Sequence, residues 1–309
     1  NYKELLTPLM AFFTERGRLP TLEELPETEA LSTEFGNLRR AFQIVLQATN
    51  PQEWDEISDR RRQDLLVYLA LSHFGRRPKL RDLTPVVQND IKSLFGGYHQ
   101  ACAAADLMLM SLGNLEVVEE RCKSSAIGQK RPNSLWVHVS AIEALDPLLR
   151  LYEGCASRTI GRPQEANVVK FHFRKPKISY LFYPNFDTDP HLALHTSMEI
   201  DLRDLHVHYR DYDPNDNPPL LHQKDSMVTA DYPLYGKFAK LTRQEEGWGL
   251  LDDLRLIYDT RGWQKCLEDH CAELRGHRVV WRKDADPYRV KLVRSAIRVK
   301  QLEQKNMET

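Results

Sequence analysis

The same run of residues is written twice in the first half of this chain. Gly17-Arg18-Leu19-Pro20-Thr21-Leu22-Glu23-Glu24-Leu25 is followed by Phe35-Gly36-Asn37-Leu38-Arg39-Arg40-Ala41-Phe42. Gly75-Arg76-Arg77-Pro78-Lys79-Leu80-Arg81-Asp82-Leu83 is followed by Phe95-Gly96-Gly97-Tyr98-His99-Gln100-Ala101-Cys102. The offset is 58 residues between Gly17 and Gly75 and 60 between Phe35 and Phe95, a difference that one loop insertion absorbs. Self-similarity of this kind points to one supersecondary unit used twice.

The unit is readable in physical terms. Proline pushes the residue before it out of the helical region, so Gly-Arg-x-Pro sets an extended turn. A short helix then ends before Phe-Gly, where glycine permits a left-handed cap. A second helix opens on cationic or polar residues, Arg39 and Arg40 in one copy, His99 and Gln100 in the other. A helix, a tight turn and a second helix with cations near its start is the shape that enters a DNA groove. The pattern also resembles the short helical repeats found beside homing endonucleases. The competing reading is a pair of helical hairpins packed for structure alone.

Around the repeat, apolar residues recur at helical spacing in Leu5-Leu6-Leu9-Met10-Phe13 and in Leu65-Leu66-Leu69-Ala70, so residues 1–122 read as an all-helical tandem module. Residues 123–231 read as an α+β domain. Leu135 to His138 is a strand, Ser140 caps a helix running through Tyr152, and Val168 to Phe173 pairs with Ile178 to Tyr183 around Lys175-Pro176. Met198 to Leu202 and Leu205 to Tyr209 form a second hairpin around Arg203-Asp204. Residues 232–309 read as helical with a basic tail. The fold class expected is α+β: a helical N-terminal tandem repeat, a central mainly antiparallel mixed sheet and a helical C-terminal end.

With 41% apolar and 28% charged residues the composition is that of a globular protein, and a net charge of −1 confines any affinity for nucleic acid to local patches. No apolar run approaches the roughly 18 residues of a bilayer span, and five cysteines, an odd number, read as free thiols. The expected location is the cytoplasm. The first residue is Asn1 rather than methionine, so a piece of a longer protein is expected.

Longer signatures occupy the rest of the chain. They include Ile127-Gly128-Gln129-Lys130 with Leu135-Trp136-Val137-His138, Leu149-Arg150-Leu151-Tyr152-Glu153-Gly154, Pro176-Lys177-Ile178-Ser179-Tyr180-Leu181 and Phe186-Asp187-Thr188-Asp189-Pro190-His191. Then follow Tyr209-Arg210-Asp211-Tyr212, Asn217-Pro218-Pro219-Leu220-Leu221-His222-Gln223-Lys224-Asp225, Lys237 to Glu246 and Arg261-Gly262-Trp263. Together they resemble the DNA phosphorothioation-associated methyltransferase family of bacteria, in its cyanobacterial form. The resemblance implies a methyltransferase domain upstream that binds S-adenosylmethionine. No cofactor is expected in this chain, which has no Gly-rich strand-to-helix loop. The family pattern His-Arg-Lys-Glu is replaced here by His222-Gln223-Lys224-Asp225, which removes an arginine fork and shortens a carboxylate.

Three constellations carry chemical meaning. His222, Lys224 and Asp225 are the catalytic candidates, able to position a phosphate or relay a proton, or else the polar end of a strand. Asp187, Asp189 and His191 have metal-ligand chemistry, but Asp-Pro turns ordinarily cap backbone, so no metal is expected. Cys266, His270, Cys271 and His277 match no common zinc spacing. Asn217-Pro218-Pro219 reads as a stiff turn, expected to bring His222, Lys224 and Asp225 into one groove with Asp187 and His191.

From Arg275 to Lys300 nine cations face two acids, with Val290, Val293 and Ile297 forming a thin apolar stripe. That is the pattern of a basic amphipathic helix. The residues expected to contact nucleic acid are Arg18, Arg39, Arg40, Arg76, Arg77, Lys79, Arg289, Lys291, Arg294 and Arg298. The expected task is presentation of DNA, including phosphorothioate DNA, to an upstream methyltransferase or to partner proteins of the sulfur-modification system. The alternatives are a metal-dependent phosphodiesterase and an assembly scaffold without a nucleic-acid role.

Overall fold

Both copies of the Gly-Arg-x-Pro run share one turn, although Gly17 has a φ of 68° and Gly75 one of −124°. In each, an acid three residues past the proline's successor closes the turn onto backbone: Thr21 N donates to Glu24 Oε2 at 2.9 Å, and Lys79 N to Asp82 Oδ2 at 2.9 Å. The computed structural model describes residues 2–307, with side chains as far as Val299, so Lys300 of the basic tail falls outside the side chains described. The chain divides into two compact units, Asn1–Asn114 with Arg150–Arg158, and Leu115–Leu149 with Thr159–Thr309.

The first unit contains α1 (Tyr2–Arg16), α2 (Thr28–Phe35), α3 (Leu38–Ala48), α4 (Pro51–Leu71), α5 (Pro85–Phe95) and α6 (Tyr98–Ser111). Phe35-Gly36 and Phe95-Gly96 end α2 and α5, with glycine φ values of 87° and 79° that a side chain rarely adopts. The apolar spacing of α1 buries Leu6, Leu9 and Phe13. Phe13 stacks on Phe42 at 4.4 Å, and Trp54 meets both rings edge-on.

The second unit is built on a six-stranded sheet in the order β1 (Gln129–Arg131), β2 (Ser134–His138), β3 (Val168–His172), β4 (Lys177–Phe182), then Thr196–Asp201 and Val207–Asp211. Every adjacent pair is antiparallel. The short strands β5 (Leu192–Ala193) and β8 (Leu220–Leu221) pair separately, so the last two strands of the sheet are β6 and β7. Because strand side chains alternate, one face carries the buried Leu135, Val137, Phe171, Ile178, Tyr180 and Ile200. The other carries a cross-strand row of Trp136, Lys170, Ser179 and Glu199. The helices of this unit are α7 (Leu115–Ser124), α9 (Tyr235–Trp248), α10 (Thr260–Asp269) and α11 (Pro287–Met307), while most of α8 (Pro147–Thr159) belongs with the first unit. None of the described helices alone is long and apolar enough to cross a membrane.

The α+β class, the antiparallel central sheet and the helical ends are as the sequence reads; three details differ. Ser140 caps no α-helix: it lies in a 3-10 segment, Val139–Ala144, and its N–H meets His138 Nδ1, while Asp146 Oδ1 accepts from Leu148 N at the start of α8. The helical end also contains a hairpin, β9 (Ala272–Leu274) with β10 (Val279–Trp281). Residues 232–309 form no separate unit either. Phe238 of α9 shares one buried cluster with Leu181, Leu221 and Met227, so the sheet and this helix complete each other's core.

Candidate functional site: a buried histidine cluster and its cavity

Antiparallel pairing of Leu192 with Leu221 sets His191 opposite His222, which joins two sequence blocks thirty residues apart. The ring centroids are 4.6 Å apart, and Trp263 from α10 covers both, at 4.5 and 4.9 Å. His191 Nε2 lies 2.6 Å from Glu245 Oε1 on α9, and its Nδ1 donates to Leu221 O at 3.1 Å. His222 is 3% exposed, and its Nε2 donates to Ile257 O at 2.7 Å. That bond assigns the proton to Nε2 and makes Nδ1 an acceptor, which has no partner among the described residues. Burial, and then the neighbouring His191, push the charged form of His222 far out of reach, so the ring is neutral.

Gln223, with φ 52°, turns the chain so that Lys224 points inward. Its ammonium donates to Phe186 O at 2.7 Å and Asp189 O at 2.6 Å, and sits 4.0 Å from the Phe238 ring centroid. Burial pushes Lys224 down to about 8, with the nearby Asp187 charge opposing the shift. Asp187 Oδ1 accepts from Tyr232 Oη, the Asp189 carboxylate is held by Asn185 and Thr188, and Asp225 Oδ1 accepts from Thr242 Oγ1.

The expected shared groove is therefore corrected in part. His191, His222, Lys224 and the backbone of Asp189 do come together, but with their side chains buried, His222 at the wall of a cavity. The carboxylates of Asp187, Asp189 and Asp225 each serve a separate local bond. No group of three or more metal-ligating side chains occurs among the described residues. Cys266 Sγ lies 3.7 Å from His270 Nδ1, but His277 stacks on Phe238, and no third ligand joins the pair among the described residues. Asn217-Pro218-Pro219 is a structural splice. Asn217 Oδ1 accepts from Arg261 N, and Pro218 O accepts from Thr260 N, which fastens the turn to the start of α10.

Glu245 and Trp263 complete the cluster, and residue type alone does not mark them. The signal present is their place in blocks Lys237 to Glu246 and Arg261-Gly262-Trp263. His222 also lines a cavity of ≈ 380 Å³ together with Gln129, Arg131, Leu254 and Tyr258. No Gly-rich turn leads from strand to helix around it. Gly128, just before β1, lies tight under Leu135 and Val137.

The nucleic-acid candidates separate sharply by environment. Arg18 is 3% exposed and held by Glu24 and Asp90, so it is removed from the DNA-contact set. Arg77 is removed likewise: it donates to Asp106 and to Leu69 O. Burial works against the Arg18 charge, and its carboxylate partners more than offset it. Arg39, Arg40, Arg76 and Lys79 are exposed, and their side chains have no acidic partner among the described residues. Asn37 caps α3 by accepting from Arg40 N at 2.9 Å, which sets both arginines on its first turn. On α11, Arg289, Lys291, Arg294 and Arg298 are exposed over the half-buried Val290, Val293 and Ile297. Arg289 lies 3.4 Å from Asp269, and Arg294 packs 5.1 Å from the Trp281 ring centroid.

No protein-family model matches this chain, and no curated protein or solved structure matches it. The family resemblance rests on the sequence blocks alone.

Proposed function

We propose that this chain is the DNA-recognition portion of a bacterial DNA-modification or defence protein of the phosphorothioation-associated methyltransferase kind, acting in the cytoplasm. The observation that carries the reading is the duplicated helical module. In it Arg39, Arg40, Arg76 and Lys79 remain exposed, without acidic partners among the described residues, while Arg18 and Arg77 are tied into the fold. Exposed cations free of acids, two of them on the first turn of α3 and two in the second copy's turn, are available to phosphate oxygens. The exposed cations of α11 supply a second set. Methyl transfer itself belongs, on this reading, to a domain upstream that binds S-adenosylmethionine, and partner proteins of the sulfur-modification system would receive the DNA.

The test is duplex binding across a salt series, with and without phosphorothioate. Replacing Arg39, Arg40, Arg76 and Lys79 by alanine should flatten the slope of log K against log salt by about 0.9 for each phosphate no longer neutralised. An unchanged slope in a folded variant removes the module from DNA binding. Absence of any salt-dependent binding in the parent chain favours the assembly-scaffold reading instead.

A further inference from the structure

Arg131 is held in place without being neutralised. Its guanidinium lies 3.7 Å from the Trp136 ring centroid, and its Nε and Nη2 donate to Gln129 Oε1 at 3.1 and 2.9 Å. These contacts fix the plane of the group and leave Nη1 without a partner among the described residues. No carboxylate stands within ion-pair distance of it among them. Lys170, paired with Trp136 across β2 and β3, brings a second cation to the same indole, 5.6 Å from its centroid. Burial pulls both cations below their ordinary range; for Lys170 the Glu199 charge resists that shift and the Arg131 charge adds to it. Two partly desolvated like charges on one ring are unfavourable unless an anion joins them.

Two further groups nearby lack partners among the described residues. Tyr183 Oη and His222 Nδ1 are buried without a hydrogen bond, on residues 0% and 3% exposed. Tyr183 is near enough to feel the charge of Arg131, and so is His222. Buried polar atoms without partners are uncommon in folded proteins, and each asks for a physical explanation. Arg131 and His222 line the same cavity of ≈ 380 Å³, whose other walls include Tyr258, Leu254, Lys130, Arg255 and Asp259, the last with its Oδ1 taken up by Gly262 N. That volume is within the range of small-ligand sites. Tyr258 is 48% exposed, leaving room for a flat partner.

We propose that this cavity binds a 5′-mononucleotide, with its phosphate on the outer edge of Arg131. A guanidinium edge suits phosphate, and a half-exposed tyrosine suits a base. His222 Nδ1 is an acceptor and fits a sugar hydroxyl, which favours a nucleotide over inorganic phosphate. The site is in the sheet unit and uses none of the helical-module arginines, so it stands or falls apart from the DNA reading.

The experiment is calorimetry and thermal melting of the whole chain with AMP, adenosine and inorganic phosphate. AMP is expected to bind and to raise Tm, with phosphate and adenosine each at least about tenfold weaker. Arg131→Met should weaken AMP by tenfold or more, and its Tm without ligand should equal or exceed that of the parent, because an unpaired cation is gone. Tyr258→Ala should weaken AMP about tenfold and leave phosphate unchanged. The proposal is overturned if AMP gives neither heat nor a Tm shift at millimolar concentration, or if Arg131→Met binds AMP like the parent. A clear fall in ligand-free Tm for Arg131→Met also overturns it, since the arginine would then be a structural group.

Discussion

Arg18 Nε lies 2.6 Å from Asp90 Oδ1, so the turn of the first helical copy grips the first long helix of the second. The same guanidinium forms a two-pronged contact with Glu24 at 2.7 Å on each prong, and Glu24 is pulled down to about 2, chiefly by that contact. Arg76 occupies the matching place in the second copy and is exposed, without such a partner among the described residues. The two copies are alike in sequence and unlike in what their arginines do.

Arg18→Ala should therefore destabilise the chain by about 3 kcal/mol, since removing one member of a buried pair leaves Glu24 without its cation, while Asp90 keeps Arg16. Arg76→Ala should stay within about 0.5 kcal/mol of the parent, as exposed substitutions do. Urea denaturation of the two variants makes the comparison, and equal destabilisation would contradict the asymmetry.

Acid should weaken the fold progressively as pH falls below 6.5. His138, His172 and His277 are all held at about 4, first by burial, against an ordinary value of 6.5. Their folded values are depressed, so the unfolded chain binds more protons between those limits. The stability they support is present above pH 6.5 and is lost as pH falls toward 4. Near pH 5 unfolding should take up about three protons from these groups, read from the slope of unfolding free energy against pH. A flat profile between about pH 6.5 and 4.5 would contradict the burial of these rings.

Gly262 should tolerate no side chain. A Cβ there would run into the Leu256 carbonyl, which is backbone and cannot rotate away. Gly262→Ala should cost about 1–3 kcal/mol through forced backbone movement, and it should disturb Trp263, the lid of the histidine cluster. Tryptophan fluorescence and denaturant midpoints report both effects. A parent-like midpoint would mean that α10 shifts freely.

The parts of this fold that are legible in the sequence are those set by local chemistry. Phe35-Gly36 and Phe95-Gly96 announce their caps because a positive φ asks for glycine there. The two hairpins around Lys175-Pro176 and Arg203-Asp204 follow from alternation. β9 and β10 are three residues each, too short to show a period, and the sequence gives no sign of them. The fate of Arg18 cannot be read from Gly-Arg-x-Pro at all, because its partner Asp90 is 72 residues away. The sequence blocks make neighbours of His191 and His222, yet they do not show the burial of the pair, which depends on Glu245 and Trp263 arriving from later helices.

The segment Arg150–Arg158 carries a last consequence. It belongs with the helices of the first unit although the residues on both sides of it do not, and Arg150 Nη1 meets Asp64 there at 2.6 Å. Anyone dissecting the protein with a single cut after Asn114 would take from the amino-terminal piece a stretch of chain that it is built around. Leu71, which lies against Gly154, would be left facing water. The two units are thus interleaved along the chain rather than strung one after the other, and a faithful amino-terminal fragment would have to graft the missing helix back on through a linker.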